Sequence, residues 1–338
     1  MLKNQYSNLV RILSYLLIAP FLLMVSYTFA AVSSIETTDT TDTTETMLLG
    51  YDSKFATLNG LKFHYVQKGN GERIVFIHGY PFFAASWDKL LTHFSQSYHV
   101  VAPDNRGYGL SAKPEGVENY TIDKLVEDVK ALIEHLPGSQ KVNLVGHDWG
   151  GLLAWAVAQK YPELVNKIVV INAPPYNVML HMAANNEEQA KASDYMEKLK
   201  SPGIEKLFEQ HGPEMLWRYG FNKLYAGGDL DDEFKAAFFA AWQQPGAFTS
   251  AVNWYRANIP LFADINDSHY WPSKDARVTV PSLLIWSERE SVFVPAMLDE
   301  IPKYVDDLSI TIISDSGHSP FFDKTKEVSA AMQEFFDK

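Results

Sequence analysis

The chain has 338 residues, 46% of them hydrophobic and 13% aromatic, enough to bury a large core as one domain with a sizeable insertion. Its net charge of −12 argues against a phosphate-seeking surface, so nucleic acid is not an expected partner. There is no cysteine, which removes disulfides, a thiolate nucleophile and Cys-based zinc or iron–sulfur sites. The sequence also holds no His-Glu-x-x-His pair, P-loop or dinucleotide fingerprint, and neither a metal nor a cofactor is expected.

Lys3 and Arg11 precede an uncharged run over residues 12–35, rich in Leu, Ile, Phe and Val. Within it, Thr28-Phe29-Ala30 followed by Ala31 puts small residues where a signal peptidase reads, so residues 1–31 read as an export signal. The same run is just long enough to span a bilayer, which leaves an uncleaved anchor as the alternative. Residues 32–50 then form a linker around the polar repeat TTDTTDTTET, which has nothing to pack. The expected location is outside the cytoplasm, periplasmic or secreted.

From Tyr51 the pattern becomes regular. FATLNGLKFHYVQKG places Asn59-Gly60 between alternating apolar runs, a hairpin signal. The runs RIVFI, HVVAP, VNLVGH, NKIVVIN, PSLLIW and SITII follow, each ending near Gly, Asp or Pro, and they read as buried parallel strands alternating with helices. The expected fold is therefore α/β, a mostly parallel doubly wound sheet whose functional loops lie at the carboxyl ends of the strands. One interval breaks the rhythm. Residues 174–274 carry helical stretches full of Tyr, Trp, Phe and Met and no good strand, so they read as a helical cap between core segments 51–173 and 275–338.

Three loops follow predicted strands and so belong on one edge of the sheet. They are His78-Gly79-Tyr80-Pro81, Gly146-His147-Asp148-Trp149-Gly150 and Ser316-Gly317-His318-Ser319-Pro320. A nucleophile-elbow pattern between an upstream His-Gly-x-Pro and a late Gly-His resembles the α/β-hydrolase fold family. Asp rather than Ser in the elbow, Trp directly after it and His-Gly-x-Pro upstream are similar to the epoxide hydrolase and haloalkane dehalogenase branch. Asp104-Asn105-Arg106-Gly107-Tyr108-Gly109-Leu110-Ser111 also resembles a stretch common in the family.

The resemblance implies Asp148 as nucleophile, and the choice of a carboxylate has a physical reason. Attack on a carbonyl would give a high-energy mixed anhydride, whereas a carboxylate displaces a strained or good leaving group at saturated carbon and leaves an ordinary ester. His318 is then the expected general base on water, with the main-chain N–H groups of Tyr80 and Trp149 as oxyanion donors. The acid that orients His318 has two possible places. Many relatives carry one 24 residues after the nucleophile, but that position here is Asn172. The other is the loop after PSLLIW, where Glu290 stands in for the usual Asp, with Glu288 as the alternative.

Epoxide opening also needs a proton donor in the cap. Asn253-Trp254-Tyr255-Arg256 is very like a stretch whose Tyr is one of a ring-opening pair, and Tyr195 is the expected second, with His181 as the alternative. The implied activity is an epoxide hydrolase acting on a small apolar substrate, with a homodimer as a possible state. A haloalkane or haloacetate dehalogenase and a non-catalytic receptor on the same scaffold are the other readings.

Overall fold

The computed structural model describes residues 48–138 and 141–338. The export signal or anchor over residues 1–31 and most of the linker over 32–50 lie outside the described residues. Among the described residues no helix is long and apolar enough to cross a membrane.

Eight strands form one sheet: β1 (Lys54–Leu58), β2 (Leu61–Lys68), β3 (Arg73–Ile77), β4 (His99–Pro103), β5 (Val142–His147), β6 (Val165–Ile171), β7 (Ser282–Ser287) and β8 (Leu308–Ile313). Their order is β1-β2-β4-β3-β5-β6-β7-β8. The β1–β2 and β2–β4 pairs are antiparallel, and every later pair is parallel. Asn59 and Gly60 both take positive φ, the conformation a two-residue turn requires between twisted strands, and set Leu58 opposite Leu61.

Alternate residues of the central strands feed two cores, one on each face. Val75, Ile77, Leu144, Val170 and Leu284 pack on one side beneath the helices Ile122–His135 and Trp149–Lys160. Ile74, Phe76, Val145, Val169 and Ile285 pack on the other beneath Asp88–Phe94 and Thr325–Phe336. Burial on both faces is what makes these strands continuous apolar runs. β8 departs from that expectation. It is an edge strand, and Ile310 and Ile312 are 41% and 49% exposed, because among the described residues no further strand or helix covers that face.

From Tyr176 to Asn258 the chain is a series of helices inserted between β6 and β7. The last of them, Ala247–Asn258, fastens this cap to the core. Asn258 accepts from the Ile122 N–H (2.6 Å) and donates to the Tyr120 carbonyl (2.8 Å), and the Trp254 indole donates to the Arg106 carbonyl (3.0 Å). Arg106 itself is buried and forked onto Asp128 through Nε and Nη2, both at 2.7 Å, with Nη1 on the Asn119 carbonyl. Its guanidinium is thus committed to anchoring this turn, and breaking such a buried pair typically costs about 3–5 kcal/mol.

Candidate active site

β5 runs into Asp148, held at φ 53° and ψ −126°, and the chain enters the helix Trp149–Lys160 at the next residue. This turn is possible only with small neighbours. A Cβ on Gly150 would lie 2.0 Å from the Ile77 carbonyl oxygen, and one on Gly79 would lie 2.3 Å from Asp148 Oδ1. Asp148 is 5% exposed, and its Oδ1 accepts the Tyr80 N–H at 2.7 Å. Burial works against its charge, but the His318 ring and the Trp149 N–H outweigh that and hold the carboxyl below its usual range.

His318 sits between two carboxylates. Its Nδ1 is 2.7 Å from Glu290 Oε2, and its Nε2 is 3.5 Å from Asp148 Oδ2. The other oxygen of Glu290 accepts from the Ser291 and Val292 N–H groups at 2.8 and 2.6 Å, which fixes the carboxylate facing the ring. Glu288 points elsewhere and accepts the Asp315 N–H at 2.9 Å, so Glu290 is the acid at His318. Desolvation lowers the affinity of His318 for its proton, yet the charges of Glu290 and Asp148 win and push its pKa up to about 10. In the resting site the ring is therefore an imidazolium.

The cap supplies two phenols. Tyr255, on Ala247–Asn258, and Tyr195, on Asp194–Lys200, meet edge-on with their ring centroids 6.2 Å apart. Burial and the charge of Asp148 raise the pKa of both, so both keep their protons. His181, the alternative to Tyr195, lies half-buried on Tyr176–Asn185, and its ring meets Asn185 one turn along its own helix.

Several residues have supporting roles whose contacts only the structure defines, and Gln189 is the one that the sequence reading missed altogether. Asn172, at φ 47°, is a strut rather than a missing acid. Its amide donates to Ser287 Oγ (2.9 Å), the Gly317 carbonyl (3.2 Å) and the His318 carbonyl (2.8 Å), while its Oδ1 accepts the Ser287 N–H (2.8 Å). His147 donates from Nε2 to the same His318 carbonyl at 2.8 Å, and burial lowers its pKa to about 3, so it stays neutral. Buried Gln189 of the cap bonds both Val292 and Val294 and so steadies the loop that carries Glu290. His78 ties the oxyanion loop to Asn105, whose N–H it accepts at 3.0 Å.

Asn172→Asp is expected to lose about 2–4 kcal/mol of stability at neutral pH, since a carboxylate would face carbonyls where amide donors now point. Such an acid has its folded pKa raised. The penalty is therefore absent below its unfolded pKa, about 4, and grows as pH rises toward the folded value. Denaturation midpoints measured from pH 4 to 8 check this, and a pH-independent loss would contradict the strut assignment.

A cleft of about 710 Å³ leads to His318 and Tyr80, lined also by Phe82, Phe221, Leu224 and Val292. Among the described residues no cluster of His, Asp and Glu is arranged to hold a metal ion. The family model for the α/β-hydrolase fold matches residues 72–325, the span that carries the Asp148 turn, Glu290 and His318. The chain belongs to the α/β-hydrolase fold family. Within that family this hydrolase is epoxide hydrolase-like. It is 33% identical over 268 residues to Epoxide hydrolase 4 of Homo sapiens, covering 77% of this chain and 71% of that one. It is 34% identical over 265 residues to Epoxide hydrolase 3 of Mus musculus, covering 77% and 70%. The hydrolase also superimposes on a Bacillus megaterium epoxide hydrolase solved with an inhibitor, with a TM-score of 0.78 at 32% identity over 84% of this chain and 100% of that one.

Proposed function

We propose that this chain is an epoxide hydrolase that works through an Asp148 alkyl ester. The observation that carries this reading is the pair of phenols beside Asp148, buried Tyr255 and half-buried Tyr195, whose rings meet edge-on at 6.2 Å. An epoxide oxygen becomes an alkoxide as the ring opens and needs a proton, whereas a departing halide does not. Two protonated phenols beside the carboxylate serve the first reaction and are superfluous in the second.

In the first step Asp148 Oδ2 forms a bond to a ring carbon, the C–O bond to the ring oxygen breaks, and a phenol of the pair protonates that oxygen. Esterification removes the negative charge of Asp148, one of the two charges holding the proton on His318. The pKa of His318 falls, its proton passes to the tyrosinate, and the neutral ring can accept a proton from water. Hydroxide adds to the ester carbonyl, and the oxyanion rests on the N–H groups of Tyr80 and Trp149. Collapse expels the diol, which takes the proton left on the new carboxyl, and Asp148 and the imidazolium are restored.

This sequence places the oxygens unambiguously. In a single turnover in H₂¹⁸O with enzyme in excess, the diol is expected to be unlabelled and ¹⁸O to appear in the peptide containing Asp148. Label in the diol on that first turnover would mean direct attack by water and would rule out the ester.

Export is proposed on the same footing, supported by the uncharged run over residues 12–35 and the small residues before Ala31. N-terminal sequencing of the mature protein tests it, and an intact Met1 would favour the anchor. A homodimer formed through the cap is supported by exposed Leu207, Tyr219 and Leu261, and light scattering decides it.

A further inference from the structure

Two of the fully buried tyrosines bond their hydroxyls to backbone carbonyls. Tyr120 donates to the Pro114 carbonyl at 2.7 Å and reaches Ser250 Oγ at 2.9 Å, and Tyr176 donates to the Asn258 carbonyl at 2.6 Å. Tyr80 and Tyr108 differ. Both hydroxyls are buried, and neither has a hydrogen-bond partner among the described residues. The two side chains line the same small cavity, with Phe83, Trp242, Ala247 and Phe248 supplying apolar walls. Its free space is about 20 Å³, enough for one water-sized group.

The position of this cavity gives it meaning. The main-chain N–H of Tyr80 is on Asp148 Oδ1, and its ring lies edge-on to Tyr255 at 5.6 Å. The ring of Tyr108 is packed against His78 at 4.9 Å and Trp254 at 5.4 Å, so its hydroxyl cannot swing out to solvent without breaking the core. Tyr80, Pro81 and Phe82 line both this cavity and the large cleft that ends at His318. Burial and the charge of Asp148 keep both phenols protonated and able to donate. Phenylalanine at either position would fill the same space without an unmade hydrogen bond, which is a standing cost in a buried site.

We infer that Tyr80 and Tyr108 form a polar subsite that selects epoxides carrying a hydroxyl or ether oxygen on one arm, within a few bonds of the ring. The inference rests on the epoxide hydrolase reading and narrows its substrate class from plain alkyl epoxides to oxygen-bearing ones. A substituent lying along Tyr80 places its oxygen in the cavity, where the two phenols donate to it. A methyl in the same place leaves both hydroxyls unpaired, and sites of this kind discriminate strongly against the group that cannot bond.

The test compares straight-chain epoxy alcohols, with the hydroxyl one to four carbons from the ring, against isosteres bearing methyl in place of hydroxyl. One such pair is 2,3-epoxyhexan-1-ol and 3,4-epoxyheptane. For at least one spacing the wild-type kcat/KM is expected to favour the alcohol, and Tyr108→Phe is expected to lower that ratio about tenfold. Taking the ratio within one preparation cancels any loss of folded enzyme, and Tyr80→Phe provides a second reading should Tyr108→Phe be inactive. Diol from both substrates with the same ratio in wild type and both variants would overturn the subsite while leaving the hydrolase intact. No diol from any substrate would remove the hydrolase reading and the subsite with it.

Discussion

Incubated with a small epoxide, His318→Ala is expected to gain the mass of the whole epoxide and keep it. The variant retains Asp148 on its turn, the Tyr80 N–H at 2.7 Å and the phenol pair, so the ring still opens. What it loses is the group that takes the proton from water, a contribution of about 10²–10⁴ in rate. Hydrolysis of the ester then becomes slower than its formation, and the adduct accumulates. Intact-protein mass spectrometry followed by peptide mapping reads the outcome, with the added mass expected on Asp148. Bromoalkanes provide the contrasting arm. A stable gain of the alkyl group with bromide release, and no gain from epoxides, would move the enzyme to dehalogenation. Absence of any adduct from either panel would end the covalent mechanism for these substrates and favour the receptor.

The second large effect falls on the step before. Tyr195→Phe/Tyr255→Phe is expected to slow ester formation by about 10²–10⁴, because the alkoxide then leaves without a proton and the ring recloses. The rings themselves remain. Tyr255 packs edge-on to Trp149 at 5.3 Å and to Tyr80 at 5.6 Å, contacts that phenylalanine preserves. The site should therefore survive while its acid is lost. Trp149 directly follows the nucleophile, so its fluorescence in a single-turnover experiment is a suitable reporter of ester formation. An unchanged rate of that phase in the double variant would remove the pair from the chemistry. Together the two variants separate the half-reactions: one makes the ester and stalls, the other fails to make it.

The hairpin at Asn59-Gly60 was legible because its turn depends on the φ preferences of two adjacent residues. The elbow was legible for a similar reason, since glycine is demanded within four residues of Asp148 by backbone contact. Placing three loops at one edge followed from the rule that parallel strands present their carboxyl ends together, and β3, β5 and β8 do so. β8 was less well read. Its run of Ile and Thr looks like any interior strand, and only the strand order reveals that one face meets solvent.

The choice between Glu288 and Glu290 marks the same boundary. The loop pattern of relatives favoured Glu290 over Glu288, but the direction of each side chain is a property of the folded loop. The backbone after β7 sends one to the Asp315 N–H and the other to His318. Asn172 is the sharper case, because as a residue it reads as a vacated acid. Its work is visible only where β6, β7 and the loop after β8 converge, 115 residues away at Ser287 and 146 away at His318.

Read alone, the sequence was enough for the fold class, through its periodicity and turn residues, and, through its resemblance to a known family, for the carboxylate on its turn and the candidates for base and acid. Tertiary structure showed how Glu290 is turned to His318, what holds its loop, and which tyrosine hydroxyls find partners. Those are contacts between segments far apart in the chain, and an ångström of placement separates a hydrogen bond from an empty donor.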